Sequence, residues 1–91
     1  MAKQLILHGR VQGVFCRVYC SQYARERHVR GTASNLSDGT VRVLLNTDDM
    51  ELVNRYIHDI TTNPKGFIFY GRIVSVDVAD HAGPLSGDYQ F

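Results

Sequence analysis

Asp38-Gly39 lies between two apolar segments, RGTASNL (30–36) and TVRVLLN (40–46), and constrains this chain more than any other pair of residues. The dipeptide predicts a β-hairpin, because a type I′ turn needs positive φ at both central positions. Segment 40–46 alternates, with Val41, Val43 and Leu45 on one face, and reads as a strand. Segment 30–36 reads as its partner, weakened by Gly31 in its interior.

A helix is expected on each side of the hairpin. Cys16, Cys20, Tyr23, Ala24 and Arg27 recur at helical spacing between Cys16 and His28, with Gln22, Arg25 and Glu26 on the other side. KQLILH (3–8) precedes this helix as a short strand that stops at Gly9. Downstream, Asp48 and Glu51 fit a capping box that opens a helix striped by Met50, Val53, Ile57 and Ile60. TTNPKG (61–66) ends it, since Pro64 cannot continue the ladder. GRIVSVDVAD (71–80) alternates through Val74, Val76 and Val78 as a fourth strand. HAGPLSG reads as a loop, and Tyr89 and Phe91 as a short final strand or a docked tail.

The order β-α-β-β-α-β predicts an α+β, ferredoxin-like split sandwich: two interlocked crossovers, with both helices on one face of an antiparallel sheet. At 91 residues the expectation is one domain over 1–91. This fold hosts many functions and selects none of them.

Strands 1 and 2 flank the first helix, so they run parallel and end at the same sheet edge. The 9–15 loop leaves strand 1 there, and Asn35 arrives there on strand 2, so Arg17 and Asn35 can face one pocket. Gly9 and Gly13 allow backbone conformations closed to other residues. A loop running into a helix presents unpaired N–H groups at the positive end of the dipole, and Arg17 adds a planar fork suited to phosphate. Two readings stay open at this point: a phosphate cradle, or a glycine-bearing connection with a solvated arginine.

Composition narrows the partners. A net charge of +1 steers the chain toward neither nucleic acid nor anionic membrane, so an anion site must be local. No apolar run approaches a membrane span, the N-terminal stretch is too short for a signal h-region, and the cytoplasm is the expected compartment. Cys16 and Cys20, one helical turn apart, suit neither a disulfide nor a zinc site and read as small core fillers. His8, His28, His58 and His81 are scattered and read as surface or satisfied histidines, although His8 adjoins the loop. There is no G-x-x-x-x-G-K-[ST], no acidic cluster for magnesium and no Ser-His-Asp set. Tyr19 and Tyr23 read as packing.

GRVQGVFCR (9–17) resembles the acylphosphatase signature G-x-V-Q-G-V-x-F-R, and GTASNLSDGTV (31–41) resembles that family's second signature, G-x-x-x-N-x-x-D-G-x-V. Both stand in the family's order and spacing, and the element order agrees across essentially the whole chain. The resemblance implies hydrolysis of the carboxyl–phosphate bond of small acyl phosphates, without metal or cofactor, by a monomer. It implies Arg17 and Asn35 as the catalytic pair. The phosphate loop would be Gln12, Gly13, Val14, Phe15, Cys16 and Arg17, with the amides and Arg17 on the phosphoryl oxygens and Asn35 orienting the water. Cys16 departs from the pattern, which has an aromatic residue before the arginine. The swap shrinks a buried group and puts loop rigidity in question, with Cys20 as a compensating neighbour.

Three alternatives follow. One is a carbamoyl-phosphate-handling domain of the kind fused to hydrogenase-maturation carbamoyltransferases; the absence of zinc-finger cysteines favours a free-standing enzyme. Another is a ferredoxin-like module binding RNA or a small regulatory ligand. TVRVLLN lacks the aromatics such RNA binders carry. The third is a scaffold that lost activity through Cys16.

Overall fold

The computed structural model describes residues 1–91. Its elements are β1 (Ala2–Arg10), α1 (Cys16–Glu26), β2 (Gly31–Asn35), β3 (Val41–Leu45), α2 (Met50–Thr62), β4 (Arg72–His81) and β5 (Tyr89–Gln90). The strands form one sheet in the order β4-β1-β3-β2-β5, with every neighbouring pair antiparallel. β1 and β2 both oppose β3, so they run parallel to each other and end at one edge, as the element order predicts. Alternation decides the buried face. Leu5, Leu7, Val41, Val43 and Leu45 join Tyr19, Tyr23 and Ala24 of α1 and Val53, Tyr56 and Ile60 of α2 in one core. The α+β, ferredoxin-like arrangement is the fold of this chain.

The C-terminus is a strand. β5 pairs with β2, and Phe91 exchanges both backbone hydrogen bonds with Gly31 at 2.9 Å. Asp88 is thereby carried to the end of β2.

Four local details differ from the sequence expectation. The hairpin is not a two-residue type I′ turn. The Leu36 N–H donates to Thr40 O and the Gly39 N–H to Leu36 O, leaving a three-residue loop in which Gly39 alone has positive φ. Asp38 serves instead as an acceptor for the Thr40 N–H (3.0 Å) and hydroxyl (2.6 Å), bonds that lower its carboxyl pKa. The cap of α2 is Asp49, not Asp48: its Oδ1 accepts from the N–H groups of Glu51 and Leu52. α1 ends at Glu26 rather than His28, because His28 takes a left-handed conformation. The fourth difference is in β4. Val76 and Val78 oppose Leu7 and Leu5, but between His8 and Gly9 the register slips, and Ile73 rather than Val74 turns into the core. This β-bulge leaves Val74 outside, since one extra residue inverts the alternation.

Buried phenols tie the two helices together. The Tyr19 hydroxyl donates to Ile60 O at 2.7 Å, Tyr56 to Cys20 O at 2.9 Å, and Tyr23 to Asn63 Oδ1 at 2.7 Å. Arg27, just past α1, donates to both carboxylate oxygens of the buried Asp59, which explains an arginine on the apolar side of that helix. The Cys16 and Cys20 thiols are both free and buried, 3.8 Å apart. The bond to Cys16 and burial push the Cys20 thiol well up, and burial does the same to the phenols of Tyr56 and Tyr19. In the unfolded chain these groups ionise near their ordinary values of 9.0 and 10.0. Their stabilisation is therefore complete below about pH 9 and is lost as pH rises toward the raised folded values. Unfolding followed by circular dichroism in urea should show stability falling above pH 9. The expected slope is up to about 1.4 kcal/mol per pH unit for each ionising group. A flat profile from pH 8 to 11 would contradict it.

Candidate active site

The loop between β1 and α1 doubles back on alternating geometry: Gly13 has φ 72° and Phe15 has φ 66°. A left-handed non-glycine residue costs about 1–3 kcal/mol, and such strain gathers at functional sites. The surroundings enforce it. The buried side chains of Val11 and Val14 anchor the loop in the core. The Tyr70 N–H donates to Val14 O at 3.1 Å. The Gln12 amide donates across to Leu36 O (2.6 Å) and Thr40 O (2.9 Å), tying the loop to the β2–β3 turn. Gln12 thus spends its side chain on the scaffold, and only its backbone N–H is left for a ligand.

No backbone N–H from Gln12 through Val18 donates to a carbonyl elsewhere in the chain. α1 has no side-chain cap and no acidic residue in its first turn, whereas α2 is capped by Asp49. The first-turn donors of α1 are therefore left open, and open donors at a helix start suit an anion. Arg17, in that first turn, carries the cation.

A cleft of about 390 Å³ opens above the loop, and Gly13, Phe15, Cys16, Arg17 and Asn35 all line it. The parallel run of β1 and β2 is what brings Arg17 and Asn35 together. Gln12 and Val14 lie behind this wall and hold it. Cys16 contributes to the wall while its side chain is buried beside Cys20. The loop's anchors at Val11, Gln12, Val14 and Tyr70 do not involve residue 16, so the small thiol leaves its shape supported. No three His, Cys, Asp or Glu side chains converge anywhere in the chain. His8 pairs instead with Asp77 at 2.8 Å on the sheet.

The structure adds Asp88, which sequence reasoning missed. Its Oδ2 accepts the Asn35 N–H at 3.1 Å and lies 3.8 Å from Arg17 Nη1, while its own N–H donates to Ser34 Oγ. No local pattern marks Asp88, because only the β2–β5 pairing brings it to the cleft. Tyr70 and Tyr89 also line the cleft and were not singled out for it.

The acylphosphatase family model matches residues 3–89. An acylphosphatase of Deinococcus radiodurans is 36% identical over 72 residues, covering 79% of this chain and 77% of that protein. One from Corynebacterium glutamicum is 38% identical over 73 residues, covering 77% and 73%. Among solved structures, the acylphosphatase from Bacillus subtilis superposes with a TM-score of 0.72 at 21% identity, covering 97% of this chain and 92% of that one. The acylphosphatase from Coxiella burnetii gives 0.69 at 20% identity, covering 97% and 84%. These two structures share the fold.

Proposed function

Since the chain belongs to the acylphosphatase family and hydrolyses acyl phosphates, we propose that residues 12–17 hold the phosphoryl group and that Arg17 and Asn35 are its catalytic pair. The observation that carries this reading is the run of unpartnered amides from Gln12 to Val18, ending at an uncapped helix beside Arg17. Successive amides curled round one point bind an anion, and a guanidinium adds charge-assisted bonds worth about 1.5–3 kcal/mol each.

An acyl phosphate is a mixed anhydride with a good carboxylate leaving group, so positioning and charge stabilisation suffice, without a covalent nucleophile. The amides and Arg17 hold the phosphoryl oxygens. The Asn35 carboxamide oxygen accepts a hydrogen bond from a water and aims it at phosphorus. As the new P–O bond forms, the bond from phosphorus to the acyl oxygen breaks, and its electron pair leaves with the carboxylate. One water proton passes to a phosphoryl oxygen, and the products are a carboxylate and dihydrogen phosphate. Asp88 holds the guanidinium over the cleft until substrate oxygens replace it.

The same reading has 1–91 acting as one domain, supported by its single hydrophobic core, and as a monomer. Two free buried thiols suit a reducing compartment such as the cytoplasm. No helix is long and apolar enough to cross a membrane.

Phosphate release from acetyl and benzoyl phosphate, with EDTA present, tests the activity; a wild-type rate no higher than buffer would sink it. Asn35→Ala, checked as folded by circular dichroism, should lose about 10²–10³ in kcat with little change in KM, because it removes water orientation rather than phosphate binding. Full retained kcat would remove Asn35 from the mechanism.

A further inference from the structure

Beyond the cleft, the surface stays mostly apolar. A second groove of about 380 Å³ adjoins it and shares two residues with it, Phe15 and Val18. Gln22, Gly66, Phe67 and Ile68 complete the groove. Gly66, Phe67 and Ile68 build its far wall, and the segment alternates on through Tyr70, which lines the first cleft. Phe67 and Phe69 turn inward, where Phe67 packs on Tyr23 and Phe69 stacks on Tyr19 with ring centroids 4.3 Å apart. Ile68 and Tyr70 are thereby left facing out, 63% and 67% exposed. Phe15, 58% exposed, meets Tyr70 with centroids 5.7 Å apart, so the apolar surface runs unbroken from the phosphate loop outward. Large exposed side chains gathered in one patch mark a contact surface. Phe15 is held outward by its left-handed backbone, so its exposure is built into the loop.

We propose that Phe15, Val18, Ile68 and Tyr70 form the acyl-group subsite, and that the enzyme prefers acyl phosphates with an aromatic or long aliphatic acyl group. The proposal rests on the phosphate-loop reading above and goes beyond it to the substrate class. Two features commit the groove to this occupant. It is continuous with the cleft at Phe15 and Val18, Tyr70 stands at the cleft end of that junction against Phe15, and Asn35 does not line the groove. On this reading the acyl group lies in the groove while the attacking water is held in the cleft at Asn35, a separation that in-line displacement needs. The second feature is charge. Arg17 is the one charged side chain lining either cavity, so an acyl group bearing its own carboxylate or phosphate would find no cation once Arg17 is engaged.

The test is kcat/KM for benzoyl, acetyl and succinyl phosphate, each divided by its uncatalysed hydrolysis rate, in wild type, Tyr70→Ala, Ile68→Ala, the double variant and Tyr70→Phe. Wild type should rank benzoyl over acetyl over succinyl. The benzoyl-to-acetyl ratio should fall about tenfold in the double variant, a loss of the size expected for removing apolar contact, and should survive in Tyr70→Phe. A ratio unchanged in the double variant, or succinyl phosphate ranking first, overturns the subsite while the hydrolase reading stands. No hydrolysis of any of the three by wild type defeats the hydrolase reading itself. If the variants change only concentration-dependent association on size exclusion, the patch joins two copies and the subsite proposal is wrong.

Discussion

Arg17→Gln is expected to lower kcat/KM for benzoyl phosphate by about 10³ or more while leaving the thermal unfolding midpoint within a few degrees of wild type. The side chain is 41% exposed, and its one ion-pair partner, Asp88, lies 3.8 Å away and is itself half exposed. Such a pair contributes little to stability, so the fold loses almost nothing. The reaction loses far more. A phosphoryl group in flight spreads negative charge over its equatorial oxygens, and a guanidinium placed there in advance is worth about 10³–10⁵ in rate in phosphoryl transfer. Glutamine keeps a donor but carries no charge and no fork. Arg17→Lys should recover only part of the loss, because an ammonium offers no bidentate grip. Steady-state kinetics beside a thermal melt decide the matter: a variant that keeps wild-type kcat/KM takes Arg17 out of the mechanism.

The second large effect is structural. Gly9→Ala is expected to destabilise the protein by about 3–5 kcal/mol and to lower Tm by more than about 12 °C. Two costs act together at this position. Gly9 has φ 126°, which L side chains rarely adopt, and an added Cβ would fall inside contact distance of the Arg72 carbonyl and 3.0 Å from Val74 Cγ2. Both costs have one origin, the bulge where β1 passes β4 immediately before the phosphate loop. Relief of the clash would have to move that backbone, so kcat/KM should fall in the folded fraction as well. By contrast, Gly13→Ala meets nothing within 4 Å and pays only the cost of its positive φ, about 1 kcal/mol. A calorimetric scan in which the two variants melt together would refute this account.

How the candidate site could be read in advance differs residue by residue. Arg17 and Asn35 were legible because two short signatures and the element order place them at one edge, and the sheet topology then leaves little choice. Gln12 was legible as a position but not in its role. Its side chain reaches residues 24 and 28 positions away to brace the loop, a contact no local pattern describes. Phe15 was legible as a loop residue, yet nothing about a phenylalanine announces left-handed φ. Asp88 was invisible, since its place depends on a two-residue strand pairing with β2. Asp38-Gly39 marked the hairpin correctly and its turn type wrongly: the Asp38 carboxylate is more useful accepting from Thr40 than residing in a left-handed turn position.

Sequence by itself therefore determined what depends on period and order. Alternation in β1 and β3, the 3.6-residue stripes of α1 and α2, and the glycine-to-arginine run between β1 and α1 are local statements. Hydrophobic burial converts them into a split sandwich with few alternatives. Tertiary structure alone decided what depends on register and on contact between distant segments. The bulge opposite Gly9 put Ile73 inside and Val74 outside, the inward turn of Phe67 and Phe69 forced Ile68 and Tyr70 onto the surface beside the cleft, and β5 delivered Asp88 to Arg17. Each of these is settled by how two pieces of chain meet, and a shift of one residue in pairing exchanges which side chains face the ligand and which face the core.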